Sequence, residues 1–275
     1  MPLVQNITNE LRKHSTLTIL IAVNVLLFFI LNISIGIFDT QVLVNQLVLP
    51  LNLHKFIFKP WTLFTYMFSH VGLGHVFYNM LLLYFSARIF LSYLNERKFL
   101  FVYIMSGITG GVILLALSAI FPNAFAVSQL FGASAAMLGI VASMCIYKPN
   151  RSVIFFGILE MKYKYMALII FVSYTIIDFN INTGGKISHF GGVFFGLLFG
   201  YLLKQGKDIS TLSFFKFRKK SPLRVVQSNN AVTNMPNSVS QQHTVDSLLD
   251  KISKIGYDNL SKTEKELLFK LSQKK

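Results

Sequence analysis

One hydroxyl stands in a run of small residues, Phe131-Gly132-Ala133-Ser134-Ala135-Ala136-Met137-Leu138-Gly139, where an apolar helix is due to begin. A serine there either caps the helix by accepting a backbone N–H or acts as a nucleophile once a base takes its proton. Two other stretches favour the second reading. His189 lies fifty-five positions on and is followed by Gly192, Gly196 and Gly200, while His75 precedes Asn79 by one helical turn, with His70 just upstream. A serine, a neutral imidazole and nearby N–H donors are the ingredients of acyl transfer: His189 takes the Ser134 proton as the hydroxyl attacks a peptide carbonyl, then protonates the leaving amine. The developing oxyanion would be met by the Ser134 backbone N–H, the His75 ring and the Asn79 amide. No Asp or Glu stands where it would orient His189. Asp178, the nearest acid, reads as a solvated residue near a helix end. The expected machinery is therefore a Ser134–His189 dyad.

These groups need a scaffold, and composition says which kind. Of 275 residues, 53% are hydrophobic and 13% charged, which places the chain among proteins that cross a bilayer several times. The net charge of +15 does not point to nucleic acid, because the basic residues cluster between apolar runs and in the tail, as topology signals and headgroup contacts do. The single cysteine, Cys145, lies in an apolar run, so an internal disulfide or a CxxC metal site is excluded. No metal site is expected.

Apolar runs predict six membrane helices, over about residues 17–34, 74–94, 99–121, 134–147, 163–179 and 186–203. The first is too long, and lacks the small-residue cleavage site, to be a signal peptide. Residues 36–70 are interrupted by Asp39, Pro50, Lys55, Lys59 and Pro60, yet carry Trp61, Phe64, Tyr66 and Phe68; they predict a long loop in the interface. A short apolar piece, residues 152–159, is expected to lie along the surface. Arg12, Lys13, Arg97, Lys98, Lys148, Arg151, Lys162, Lys164, Lys204 and Lys207 fall on one side, against Lys55, Lys59 and Lys186 on the other. Both termini are accordingly expected in the cytoplasm, with the second, fourth and sixth helices entering from outside.

Depth follows from the helical rise. The run from Ser134 to Tyr147 spans only about 20 Å of a hydrocarbon core of about 30 Å, so Ser134 lies roughly 10 Å below the outer boundary, and His189 at a similar level. His75 and Asn79 lie near the same outer end. Residues 122–133 must then dip into the membrane, which irregular backbone does only inside protein or beside water. The glycines after His189 share one helix face and face the small residues Ala135, Gly139 and Ala142 of the fourth helix, a pattern that lets two backbones approach closely.

Taken together, Gly132-Ala133-Ser134, Ser188-His189-Phe190-Gly191-Gly192 with Gly196 and Gly200, and His70, His75 and Asn79 resemble the rhomboid family of intramembrane serine proteases. The resemblance runs over about residues 17–204. It implies an all-α, six-transmembrane-helix bundle, Ser134 as nucleophile, His189 as base, His75 and Asn79 as oxyanion-hole side chains, transmembrane-protein substrates and no cofactor. It also implies an integral protein of the bacterial inner membrane. Three positions depart from the family pattern: Thr62 follows Trp61 where an arginine is common, Ala135 replaces a glycine after the serine, and Leu138 replaces an aromatic residue beside the histidine. His70 reads as a structural hydrogen-bond partner. The closest rival is a rhomboid-like protein that binds membrane helices without cutting them. A transporter is disfavoured by the lack of an inverted repeat and of a mid-depth acid, and a bis-histidine haem protein would need two histidines facing each other.

The domain map expected from this reading is a cytoplasmic segment (1–16), the membrane core (17–207), a basic juxtamembrane segment and linker (208–243) and a small cytoplasmic helical hairpin (244–275). Lys216, Arg218, Lys219, Lys220 and Arg224 suit anionic headgroups. In the hairpin, Val245, Leu248, Leu249 and Ile252 recur at helical spacing behind Thr244, Gly256 can stop that helix, and Ser261-Lys262-Thr263-Glu264 is a capping-box pattern ahead of Leu267, Leu268 and Leu271. Two short helices bury little on their own, so docking on the core or a partner is expected.

Overall fold

A computed structural model describes residues 14–38, 40–125, 129–155, 159–175, 183–211, 246, 248–253 and 256–272. The chain divides into two compact units, residues 1–216 and 217–275. Among the described residues, the first unit has six helices of more than ten residues: α1 (Ser15–Phe38), α2 (Leu73–Leu91), α3 (Glu96–Ile120), α4 (Ser134–Tyr147), α5 (Tyr163–Thr175) and α6 (Thr183–Lys204). Three stretches, Ser15–Ile37, Glu96–Ile120 and Gly184–Lys204, are long and apolar enough to cross a membrane, and Ser134–Tyr147 is apolar but shorter. Polar residues inside these helices are largely satisfied locally, as a water-free surround demands. The Asn24 amide donates to the Leu20 carbonyl at 2.7 Å and Asn32 to that of Phe28 at 2.8 Å. Helix α3 starts where Asn95 accepts the Lys98 N–H at 3.0 Å, an N-cap of the preferred kind.

Helix α4 is the centre of the unit, with every residue from Ala135 to Met144 buried. Its neighbours α6 and α3 come close because glycine lies at the crossings. A Cβ at Gly192, Gly196 or Gly200 would fall 2.1, 2.1 and 2.3 Å from the carbonyl oxygens of Ala135, Gly139 and Ser143. Likewise a Cβ at Gly139 would meet the Ser106 hydroxyl of α3 at 2.0 Å, and one at Gly191 would meet Gly110 Cα at 2.7 Å. Backbone thus packs on backbone along α4, the small-residue mode of membrane helices.

The connections are more structured than the sequence implies. The segment before α2 folds into short helices at Val42–Leu47, Leu53–Ile57 and Thr62–Thr65 and a 3-10 turn at Tyr66–Phe68. It also holds a two-residue strand, β1 (Leu49–Pro50), paired antiparallel with β2 (Gln129–Leu130). The expected apolar surface piece after α4 is instead a hairpin of β3 (Ser152–Phe155) and β4 (Leu159–Lys162), with Ser152 opposite Lys162 and Phe155 opposite Leu159. The fold is mostly helical, with these short strands confined to the connections, and the reason is local. Pro149 ends α4, and Val153, Ile154 and Phe155 suit a pleated strand. Arg12, Lys13, Asp178, the basic cluster from Lys216 to Arg224, the linker and Val245 lie outside the described residues.

In the second unit, residues 246 and 248–253 are helical, and Gly256 closes the turn with φ +81° and an N–H donated to the Ile252 carbonyl at 2.8 Å. Helix Lys262–Ser272 then begins at a reciprocal capping box: the Ser261 N–H donates to the Glu264 carboxylate at 3.0 Å, and the Glu264 N–H to the Ser261 hydroxyl at 3.3 Å. Lys251 pairs with Glu264 at 2.6 Å.

Candidate active site

Ser134 is the first residue of α4, and the loop before it is held at each step by protein groups. Leu130 pairs with Leu49. The Gly132 N–H donates to the Tyr66 carbonyl at 2.9 Å, and the Ala133 N–H to His70 Nε2 at 3.3 Å. Tyr66 is itself tied to α3, its hydroxyl donating to the Gly107 carbonyl at 2.6 Å. Gly132 has φ +111°, and a Cβ there would lie 2.7 Å from His75 Cε1; only glycine suits both that backbone and that approach. His70, fully buried in the loop ahead of α2, is held well below the usual imidazole range, to about 3, first by burial and then by the neighbouring His75. It is therefore neutral at pH 7, as an acceptor of the Ala133 N–H must be.

The capping reading of Ser134 does not describe its side chain. Ala133 occupies the N-cap position without a side-chain bond, and the Ser134 hydroxyl lies 2.7 Å from His189 Nε2. His189 is buried and Ser134 half-buried. The two residues meet because α4 and α6 touch backbone to backbone at Ala135, next to the serine, and Gly192, about one turn on from the histidine. A bulkier residue at 192 would separate the helices and the pair with them.

His75 and Asn79 stand one turn apart on α2. The His75 ring is 4.9 Å, centroid to centroid, from that of His70 and 5.8 Å from that of Phe131, which puts it against the turn leading to Ser134. Asn79 is fully buried; its amide donates to the His75 carbonyl at 2.9 Å, and its Oδ1 is buried with no hydrogen-bond partner among the described residues. The amide keeps a second N–H, and the Ser134 N–H, in the first turn of α4, has no carbonyl of its own helix to pair with. His75 and His70 thus lie against the turn that leads to Ser134, with Asn79 one turn further along α2 and His189 in contact with the serine. A serine with a base in contact, at the start of a helix whose first N–H groups point outward, can carry out acyl transfer at a carbonyl.

Thr175 gave no signal in the sequence. It ends the described part of α5, is buried, and its Oγ1 lies 3.5 Å from His189 Nδ1. A lone threonine fourteen positions before a histidine belongs to no motif, so only helix packing exposes the approach. The three departures noted above also find places. The Thr62 hydroxyl donates to the Lys59 carbonyl at 2.6 Å, Ala135 sits at the crossing with Gly192, and Leu138 lines an apolar groove of about 370 Å³ with Ala142, Phe171 and Leu197.

Comparison with known proteins places this site in a recognised region. The family model "Rhomboid domain" matches residues 58–206, and a second model, a family of unknown function (DUF6576), matches residues 236–274. The "Rhomboid protease GluP" of Bacillus subtilis (strain 168) is 30% identical over 129 residues, covering 45% of this chain and 24% of the relative. The chain thus spans about a quarter of that relative's length.

Proposed function

The chain belongs to the rhomboid family, and on that premise we propose that it is an intramembrane serine protease that cuts peptide bonds in or near transmembrane segments. The observation that carries the reading is the 2.7 Å approach of Ser134 Oγ to His189 Nε2 inside the matched domain. In the proposed reaction His189 Nε2 takes the Ser134 proton as Oγ bonds to the scissile carbonyl carbon. The oxyanion is met by the Ser134 backbone N–H, His75 and Asn79. His189 then protonates the departing amine as the C–N bond breaks, leaving an acyl-enzyme. A water, deprotonated by His189, attacks the ester, and the proton returns to Ser134.

The proposal extends to topology and partners. Helices α1 to α6 each cross the inner membrane of a bacterium, with both termini in the cytoplasm and the Ser134 site opening outward below the surface. A peptide bond in an intact helix is shielded by its own hydrogen bonds, so substrates are membrane segments whose small or helix-breaking residues let them unwind at that depth. On the cytoplasmic side, a cleft of about 620 Å³ lined by Tyr93, Tyr147, Lys148, Arg151, Ser152 and Lys204 suits anionic lipid headgroups.

Covalent labelling of the purified protein in lipid nanodiscs by a fluorophosphonate tests the reading. Labelling is expected for the native chain and is lost in Ser134→Ala and His189→Ala. A native chain that neither labels nor cuts any single-span substrate would favour the rival, a rhomboid-like protein that only binds membrane helices.

A further inference from the structure

Several hydroxyls of the membrane helices bond to their own backbone, and two that face the candidate site do not. Ser86, Ser118, Ser143 and Thr109 each donate to a carbonyl about one turn back on their own helix, at 2.7 to 2.8 Å. That is how a hydroxyl avoids being unpaired in apolar surroundings. The hydroxyls of Ser134 and Thr175 do otherwise: both face His189, one at Nε2 and the other at Nδ1. The imidazole thus sits between two hydroxyls from two different helices.

We propose that Thr175 is the positioning residue of the dyad: its hydroxyl accepts the Nδ1–H of neutral His189 and so fixes the tautomer whose bare Nε2 faces Ser134. The inference rests on the protease reading above. In a serine triad a carboxylate does this work, holding the imidazole in its useful tautomer and orientation. A carboxylate inside a membrane is expensive, whereas a hydroxyl brings the acceptor without the charge. The residue type fits the task, since a β-branched threonine is stiff about χ1 and its oxygen is held in place once the helix is. Helix α5 is pinned to both α2 and α6 just ahead of the contact. The Tyr174 hydroxyl donates to the Tyr78 carbonyl of α2 at 3.2 Å, and the Phe171 ring packs edge-on against Phe190 of α6 at 5.3 Å. The Oγ1–Nδ1 separation of 3.5 Å is long for a hydrogen bond in the resting state. It is of the kind that tightens when substrate binds and positive charge grows on the imidazole.

The test uses full-length protein in nanodiscs and three readouts: fluorophosphonate labelling rate, kcat and KM on a single-span substrate, and the tautomer of His189 by nitrogen NMR of ¹⁵N-histidine protein. In the native chain the proton is expected on Nδ1. Thr175→Val keeps shape and removes the acceptor. It is expected to slow labelling and kcat about tenfold, the worth of one hydrogen bond of about 1.4 kcal/mol, with KM little changed and the two tautomers mixed. Thr175→Ser is expected to restore rate and tautomer, which a loss of packing alone would not allow. The proposal is overturned if the native proton sits on Nε2, or if Thr175→Val reacts at the native rate. Should Thr175→Val not fold, the native tautomer and the serine variant still decide. A native chain that shows the Nδ1–H tautomer but never labels would sink the protease reading while leaving the Thr175–His189 contact intact.

Discussion

In the proposed reaction Ser134 and His189 act as a unit, so at the level of single residues their removal is not expected to be graded. Either alanine variant should lower the cleavage rate by at least about a thousandfold, since loss of one member of such a unit costs nearly as much as loss of all; steady-state assay of each beside the double variant checks this. His70 makes a different prediction. Its Nε2 accepts the Ala133 N–H at 3.3 Å, so His70→Phe fills the space and leaves that buried donor unpaired. A loss of about 1–3 kcal/mol in stability is expected, measured as unfolding in mild detergent, along with slower labelling because the Ser134 loop loses an anchor. At this scale residue types and spacing made much legible: Ser134, His189, His75, Asn79 and His70 are all visible in the sequence as polar groups where polar groups are costly. Thr175 was not, because threonine is ordinary in an apolar helix and nothing in its neighbourhood marks it.

The glycines of α6 belong to the scale of elements. Gly196→Ala would put a Cβ 2.1 Å from the Gly139 carbonyl oxygen, a backbone atom that cannot swing aside. Overpacking of this kind costs about 1–3 kcal/mol, and here it also pries α6 from α4. Thermal unfolding should drop and activity fall with it. Gly74→Ala is the matching control, because nothing lies within 4 Å of a Cβ there; it should be neutral or slightly stabilising. In the C-terminal unit, Glu264 is held down to about 2 from 4.5, chiefly by Lys251 and then by the Ser261 N–H and hydroxyl. A carboxylate with a lowered folded value stabilises fully above pH 4.5 and loses that contribution as pH falls toward 2. The protection of the Ser261 and Glu264 amides, relative to their intrinsic exchange rates at each pH, should accordingly fall across that window and hold steady above it. The spacing Ser261 to Glu264 announced this cap because a capping box is local. The β1–β2 and β3–β4 pairs were not announced: β1 and β2 join segments about eighty residues apart, and β3 and β4 are too short to show alternation.

For the molecule as a whole, charge distribution makes the testable statement. In a Cys145→Ser background, a membrane-impermeant maleimide should label Gln46→Cys from the outside of intact cells and Asn150→Cys or Lys262→Cys only after permeabilisation. Labelling of Asn150→Cys from outside would overturn the orientation. A second experiment concerns the region matched by the family of unknown function, residues 236–274. Deleting residues 228–275 is expected to change activity, stability or oligomeric state, because two short helices need a surface to dock on. Unchanged behaviour on all three measures would show the appendage to be dispensable.

The sequence alone determined the apolar runs, the sign of each loop and the family. These are properties of composition and local spacing, and burial in a bilayer writes them directly into residue type. It also showed which side chains were out of place there. Only the tertiary structure decided that Ser134 and His189 touch, that His75 lies against Gly132 and that Thr175 reaches the far nitrogen of the imidazole. Those distances depend on how each helix is rotated and how closely it approaches its neighbour, and packing between elements sets both.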